Sequence, residues 1–160
     1  MATALGLVHR DLKPANVFLV KSGEKKLLAK IGDYGLAKAF DLAGMSGLSM
    51  AGDVAGTPAF MPRQQVIQYR DAKPEVDVWA AAAMLYYMLT LHYARDFSKD
   101  KDRWQTVLQQ DAVPIRKRDK TIPAALAAVI DAALVDRPAL RFKSAKALRR
   151  VLAQSMKTRS

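Results

Sequence analysis

Two short runs of β-prone residues open the hydrophobic pattern, Val17–Val20 and Leu27–Ile31. The polar stretch Lys21-Ser22-Gly23-Glu24-Lys25-Lys26 between them carries a glycine, so the pair predicts a hairpin. From Asp33 to about Arg70 the chain is rich in Gly, Ser, Met and Pro without a steady period. That predicts a long loop, and loops of this length inside compact domains usually carry function or move. Helical patterns follow. Glu75–Leu91 is apolar nearly all round, as a central helix surrounded by others is, with Trp79, Tyr86 and Tyr87 as core or interface aromatics. Asp102–Gln110 is a short helix with Trp104, Val107 and Leu108 on one side, and His92 is a solvated loop residue before it. Thr121 is placed to cap a helix running through Pro123 to Val135, with Leu126, Val129, Ile130 and Leu134 as its buried stripe. Ser144–Gln154 turns Ala147, Leu148, Val151 and Leu152 inward and Lys146, Arg149 and Arg150 outward. The layout is a hairpin, a long loop and then mostly helices: an α+β chain, mainly α, with no internal repeat or low-complexity tract.

Composition narrows the setting more than the chemistry. The 160 residues suit one domain with a sizeable core, and 51% hydrophobic with 26% charged residues is globular usage. The longest apolar run, Val78–Leu91, falls short of the roughly 20 residues that a bilayer span needs. With no cysteine there is no disulfide scaffold, zinc finger or thiol chemistry, which fits a reducing cytoplasm. No signal peptide is visible, so the expectation is a soluble, cytoplasmic protein without a membrane partner. The net charge is +11, and residues 101–160 supply +9 of it. A basic excess permits anionic partners without choosing among them. No aromatics are interleaved with Lys146, Arg149 and Arg150 for base stacking, so that face reads as a solvated helix surface and nucleic acid as an unlikely partner. Arg116-Lys117-Arg118 with Lys120 reads as a charged loop.

His9-Arg10-Asp11-Leu12-Lys13-Pro14-Ala15-Asn16 carries the chemistry, followed by Asp33-Tyr34-Gly35. Phosphoryl transfer asks a protein for positioning and for neutralisation of anionic oxygens. Asp11 offers a carboxylate to the attacking hydroxyl, and Lys13, two residues along a loop, can reach the transferring phosphate. Asn16 and Asp33 offer an amide oxygen and a carboxylate, the hard oxygen donors magnesium prefers. The hairpin returns the chain so that Asp33 can approach Asn16 across 17 positions.

The eight-residue segment matches the pattern H-R-D-L-x-x-x-N at every fixed position, so the chain resembles the eukaryotic-type (Hanks-type) serine/threonine protein kinases, of the kind found in bacteria. Asp33-Tyr34-Gly35 resembles that family's metal-binding Asp-Phe-Gly. Gly56-Thr57-Pro58-Ala59-Phe60-Met61 resembles the end of its activation segment, Asp77-Val78-Trp79 the start of its central helix, and Arg141 an arginine near its last helices. The resemblance covers nearly the whole chain and implies a partial kinase domain over residues 1–154, with 155–160 as a tail. It implies the family's large, C-terminal lobe with a short β-hairpin and without the small lobe. It further implies ATP and Mg²⁺ as cofactors and a protein Ser/Thr acceptor as substrate. Asp11 and Lys13 become catalytic, Asn16 and Asp33 metal-binding, and Phe18 joins them at the nucleotide. His9, Tyr34, Gly35 and Asp77 are structural. Thr57 bonds to Asp11 and Lys13, and Lys13 itself marks the serine/threonine branch. Arg10 implies control by a phosphate on the loop, with Ser46 and Ser49 as acceptors.

The departures are as informative as the matches. No Gly-rich loop, strand lysine or partnering glutamate is present, so the isolated chain is expected to be inactive. With no room in Met1–Leu7 for the helix that precedes the catalytic loop, apolar surface on Val78–Leu91 is expected to lie open, for a missing small lobe or another protein. The family's Ala-Pro-Glu is replaced by Pro62-Arg63-Gln64, so Gln64 faces Arg141 where a glutamate would neutralise it, with Asp136 as a nearby compensating charge. A non-catalytic, pseudokinase-like binding module and a basic nucleic-acid-associated helical protein remain as alternatives.

Overall fold

The computed structural model describes residues 8–23, 27–33, 57–69, 71–98 and 100–157. Strands β1 (Val17–Lys21) and β2 (Leu27–Ile31) pair antiparallel, Val17 opposite Ile31 and Lys21 opposite Leu27. The expected hairpin is therefore present. Both of its faces are open: Phe18, Leu19, Leu27, Leu28 and Ile31 are all exposed. A 3-10 turn at Pro14–Asn16 leads into β1, its proline supplying a φ suited to a first turn.

Among the described residues five α-helices follow: α1 (Arg63–Ile67), α2 (Glu75–Thr90), α3 (Arg103–Gln109), α4 (Ala124–Ala133) and α5 (Ala145–Lys157). The core is built on α2. Val76, Val78, Trp79, Ala80, Ala82, Ala83, Met84 and Tyr86 are all buried, packed with Ile115, Ile130, Leu134, Leu140 and Leu148. Alanines at three of these positions let α4 and α5 come close, and Trp79 Nε1 satisfies the Leu134 carbonyl at 3.0 Å. The expected open apolar surface on this helix is thus much smaller than its sequence implies. The large apolar side chains left open are those at its C-terminal end, Met88, Leu89 and Leu91, because neighbours cover the other large ones.

Local details correct several expectations. Arg63–Ile67 is helical within a stretch whose pattern predicts only loop. Thr121 does not cap α4: Pro123 holds that position, and Thr121 donates its amide and hydroxyl to Asp119 instead. In α3 the buried pair is Thr106 and Val107, with Leu108 outside, while Asp102 caps the helix by accepting from the Gln105 amide at 2.8 Å. Ser144 accepts from the Ala147 amide at the start of α5, whose outward Lys146, Arg149 and Arg150 are exposed as expected. Among the described residues no helix is long and apolar enough to cross a membrane.

Candidate active site

The segment His9–Asn16 is held by side chains that bond its own backbone. Asp77, in the first turn of α2, accepts the His9 amide on Oδ2 at 2.8 Å and the Arg10 amide on Oδ1 at 3.0 Å. Burial pushes its carboxyl above the ordinary range, and the two amides only partly offset this. His9 is buried; its Nδ1 accepts the Asp11 amide at 3.3 Å, so the ring proton belongs on Nε2, 2.9 Å from the Gly32 carbonyl. Arg10 takes a left-handed φ of 65°, a conformation that costs a non-glycine residue on the order of 1–3 kcal/mol and persists only where neighbours enforce it. Its guanidinium lies 5.9 Å from the Tyr69 ring centre, and burial raises the Tyr69 phenol pKa against the pull of that cation.

These constraints present Asp11 in a defined setting. Its carboxylate is buried, with Lys13 Nζ at 2.7 Å, Asn16 Nδ2 at 3.3 Å and the Thr57 amide at 3.4 Å. Asn16 Nδ2 also donates to the Asp11 carbonyl at 2.8 Å. The Gly32 amide donates to the Asn16 carbonyl at 2.9 Å, which brings Asp33 to the neighbourhood of Asn16 as the hairpin argument expects. Asp33 itself is exposed with a left-handed φ of 58°. Gly32 cannot carry a side chain without moving its neighbour, since a Cβ there would sit 2.6 Å from Phe18 Cε2. Phe18 accordingly packs beside the Asp33 turn while remaining exposed overall.

The donor set suits magnesium. The amide hydrogens of Asn16 are committed to Asp11, which leaves its side-chain oxygen as the atom to coordinate, and Asp33 supplies a free-standing carboxylate. Two protein oxygens are a typical share for Mg²⁺, which completes its shell with water and phosphate oxygens. Among the described residues no group of three or more His, Asp or Glu is gathered.

Thr57 meets Asp11 as expected, through its backbone amide, but not Lys13, whose ammonium is turned onto Asp11 Oδ2. Gln64 and Arg141 also do not meet. Arg141 is exposed without an ion pair among the described residues, whereas Gln64 donates to the Asp136 carbonyl and keeps its own Oε1 buried and unbonded. Asp136 does not compensate Arg141 either. Its carboxylate is taken by Arg63 Nη1 and Arg95 Nη2, each at 2.5 Å, and by the Arg63 amide at 2.8 Å. Arg63 further donates to the Leu108 and Gln110 carbonyls, Arg95 to those of Gln110 and Met61, and Arg95 lies 4.7 Å from the Trp79 ring centre. Neither arginine was indicated by sequence reasoning. The available signal was Arg63 standing in the altered Pro62-Arg63-Gln64 motif. Tyr34, Gly35, Ser46 and Ser49 lie outside the described residues.

Comparison with known proteins agrees with this geometry. The model of the protein kinase domain matches residues 4–152. The chain is 31% identical over 144 residues to serine/threonine-protein kinase PknA of Mycobacterium tuberculosis, covering 90% of this chain and 31% of that protein. It is 35% identical over 153 residues to serine/threonine-protein kinase Pkn1 of Myxococcus xanthus, covering 94% and 21%. LysM domain receptor-like kinase 10 of Oryza sativa is 41% identical over 87 residues, which is 54% of this chain and 13% of that one. The chain thus spans a third or less of these relatives. With its catalytic-loop residues gathered around Asp11 and the family match running almost end to end, the chain belongs to the protein kinases, as a member of the Hanks-type serine/threonine group.

Proposed function

We propose that this chain forms the large lobe of a serine/threonine protein kinase, moving the ATP γ-phosphoryl group to a protein Ser or Thr hydroxyl. The observation that carries the reading is the Asp11 carboxylate, bonded at once by Lys13, Asn16 and the Thr57 amide. Asp11 orients the acceptor hydroxyl and takes its proton. Lys13 supplies positive charge where the transferring oxygens gather, and it reaches them by leaving Asp11, to which it is only ion-paired. Asn16 and Asp33 would hold Mg²⁺, and Phe18 would line the nucleotide. ATP with Mg²⁺ supplies the phosphoryl group and neutralises its charge. Arg10 pairs with a phosphate on the activation segment, with Ser46 and Ser49 as its acceptor sites. The absence of cysteine supports a cytoplasmic setting.

The 160 residues contain no Gly-rich phosphate loop with its lysine, so the isolated chain is expected to transfer negligibly. A polypeptide carrying those parts would cover the exposed apolar hairpin. The test measures phosphate transfer from ATP to a Ser/Thr peptide by residues 1–160, alone and joined to such a polypeptide. Transfer by the joined form, lost by at least about a hundredfold in Asp11→Ala, is the expected result. No transfer in either form favours a non-catalytic binding module, for which the open hairpin is the supporting observation.

A further inference from the structure

Arg10 and Asp11 are joined by a peptide unit whose two polar atoms are both held by buried side chains. Its N–H, on Asp11, donates to His9 Nδ1 at 3.3 Å. Its oxygen, on Arg10, accepts from Gln65 Nε2 at 2.5 Å. Gln65 is only 1% exposed, so no water stands ready to replace it if that donor is lost. It lies in α1, whose first residue, Arg63, is fixed to Asp136. Asp77 meanwhile holds the Arg10 amide on the other side of the left-handed residue. Rotating the Arg10–Asp11 peptide therefore breaks bonds to both Gln65 and His9, and this peptide sets the direction in which Asp11 leaves the chain.

We propose that Gln65 is a positioning residue: by donating to the Arg10 carbonyl it fixes the Arg10–Asp11 peptide and thereby aims the Asp11 carboxylate. Its catalytic part rests on the kinase reading above. The effect on loop geometry does not, because His9 reports it directly. While the peptide is held, His9 keeps one tautomer, with Nδ1 accepting and Nε2 protonated toward Gly32.

The experiment compares Gln65→Leu with the wild type in residues 1–160 by ¹⁵N NMR of the His9 ring and the Asp11 amide. Leu148→Ala, in the core of α5 and remote in sequence from the loop, serves as a variant that loses stability without touching this peptide. Gln65→Leu is expected to shift the Asp11 amide and mix the His9 tautomers, whereas Leu148→Ala leaves both as in the wild type. If Gln65→Leu does not fold, Gln65→Asn, whose amide falls one methylene short, is expected to give the same displacement. Wild-type His9 and Asp11 signals in a folded Gln65 variant overturn the proposal. In the form joined to the phosphate-loop polypeptide, Gln65→Leu is expected to lower kcat about ten- to a hundredfold with KM for ATP unchanged. Displaced loop signals with an unchanged kcat overturn the positioning role. A wild type that transfers nothing in the joined form sinks the kinase reading itself, independently of the His9 spectra.

Discussion

Asp11 and Asp136 are both buried carboxylates in contact with cations, yet they are built for opposite ends. Asp136 is enclosed by two guanidinium groups and a backbone amide, with contacts between 2.5 and 2.8 Å. The other donors of Arg63 and Arg95 go to carbonyls of Met61, Leu108 and Gln110. Burial lowers the Arg95 pKa and Asp136 opposes that shift, which is the balance a closed ion cluster strikes. Asp11 has one short contact, to a lysine whose side chain is 27% exposed, and two longer ones at 3.3 and 3.4 Å. Under the proposed kinase reading, a carboxylate that receives a hydroxyl needs partners that can yield. One that must hold α1 against α3 and the start of α4's following loop does not.

The contrast breaks most visibly at Asp136. Asp136→Ala leaves two buried guanidinium groups facing each other and is expected to lower stability by about 3–5 kcal/mol, read from denaturant unfolding. Asp11→Ala is expected to cost less than about 1 kcal/mol, since it removes only looser contacts, while abolishing transfer in the joined form. A loss as large as that of Asp136→Ala would show that Asp11 is a structural anchor too.

Asp77 lies between these cases. Asp77→Asn keeps one of two acceptors for the His9 and Arg10 amides, so a loss of about 1–3 kcal/mol at neutral pH is expected. The pH dependence gives a second check. Because the folded pKa of Asp77 is raised, its contribution is full below the unfolded value of 3.8 and is lost as pH rises through the folded pKa. The gap between wild type and Asp77→Asn should therefore narrow as pH rises from below 3.8. Asp111 carries the opposite sign. Its hydrogen bond from Arg137 lowers its pKa, so its contribution is present above 3.8 and is lost as pH falls. The gap for Asp111→Asn should widen as pH rises.

The smallest effect compares two left-handed residues. Leu91 ends α2 at φ 57° with its side chain 77% exposed, so no network there justifies the strain. Leu91→Gly is expected to raise stability by about 0.5–1 kcal/mol in thermal or denaturant unfolding. At Arg10 the left-handed φ is enforced by Asp77 and Gln65, and a glycine there would relieve strain but loosen the loop.

Legibility in the sequence followed the range of the interactions. The hairpin, α2 and the buried stripe of α4 were readable because their signals repeat every two to four residues. Asp11, Lys13 and Asn16 were readable because the loop holding them is one continuous segment. That Thr57 reaches Asp11 through its backbone amide is a detail invisible in residue identity. Helix α1 was missed because five residues are too few to show a period. The Arg63–Asp136 and Arg95–Asp136 pairs join positions 73 and 41 residues apart, so no spacing rule reaches them.

The sequence by itself determined which segments become strand or helix and which residue types crowd around residues 9–16, since backbone propensity, periodicity and local motif chemistry are short-range. Only the tertiary structure decided which charges neutralise each other and which polar groups hold residues 9–16. It drew Asp136 to Arg63 and Arg95 rather than Arg141, and brought Gln65 under the Arg10 carbonyl. Those choices depend on burial, because an ion or amide removed from water must find a partner among whatever side chains the packing places within reach.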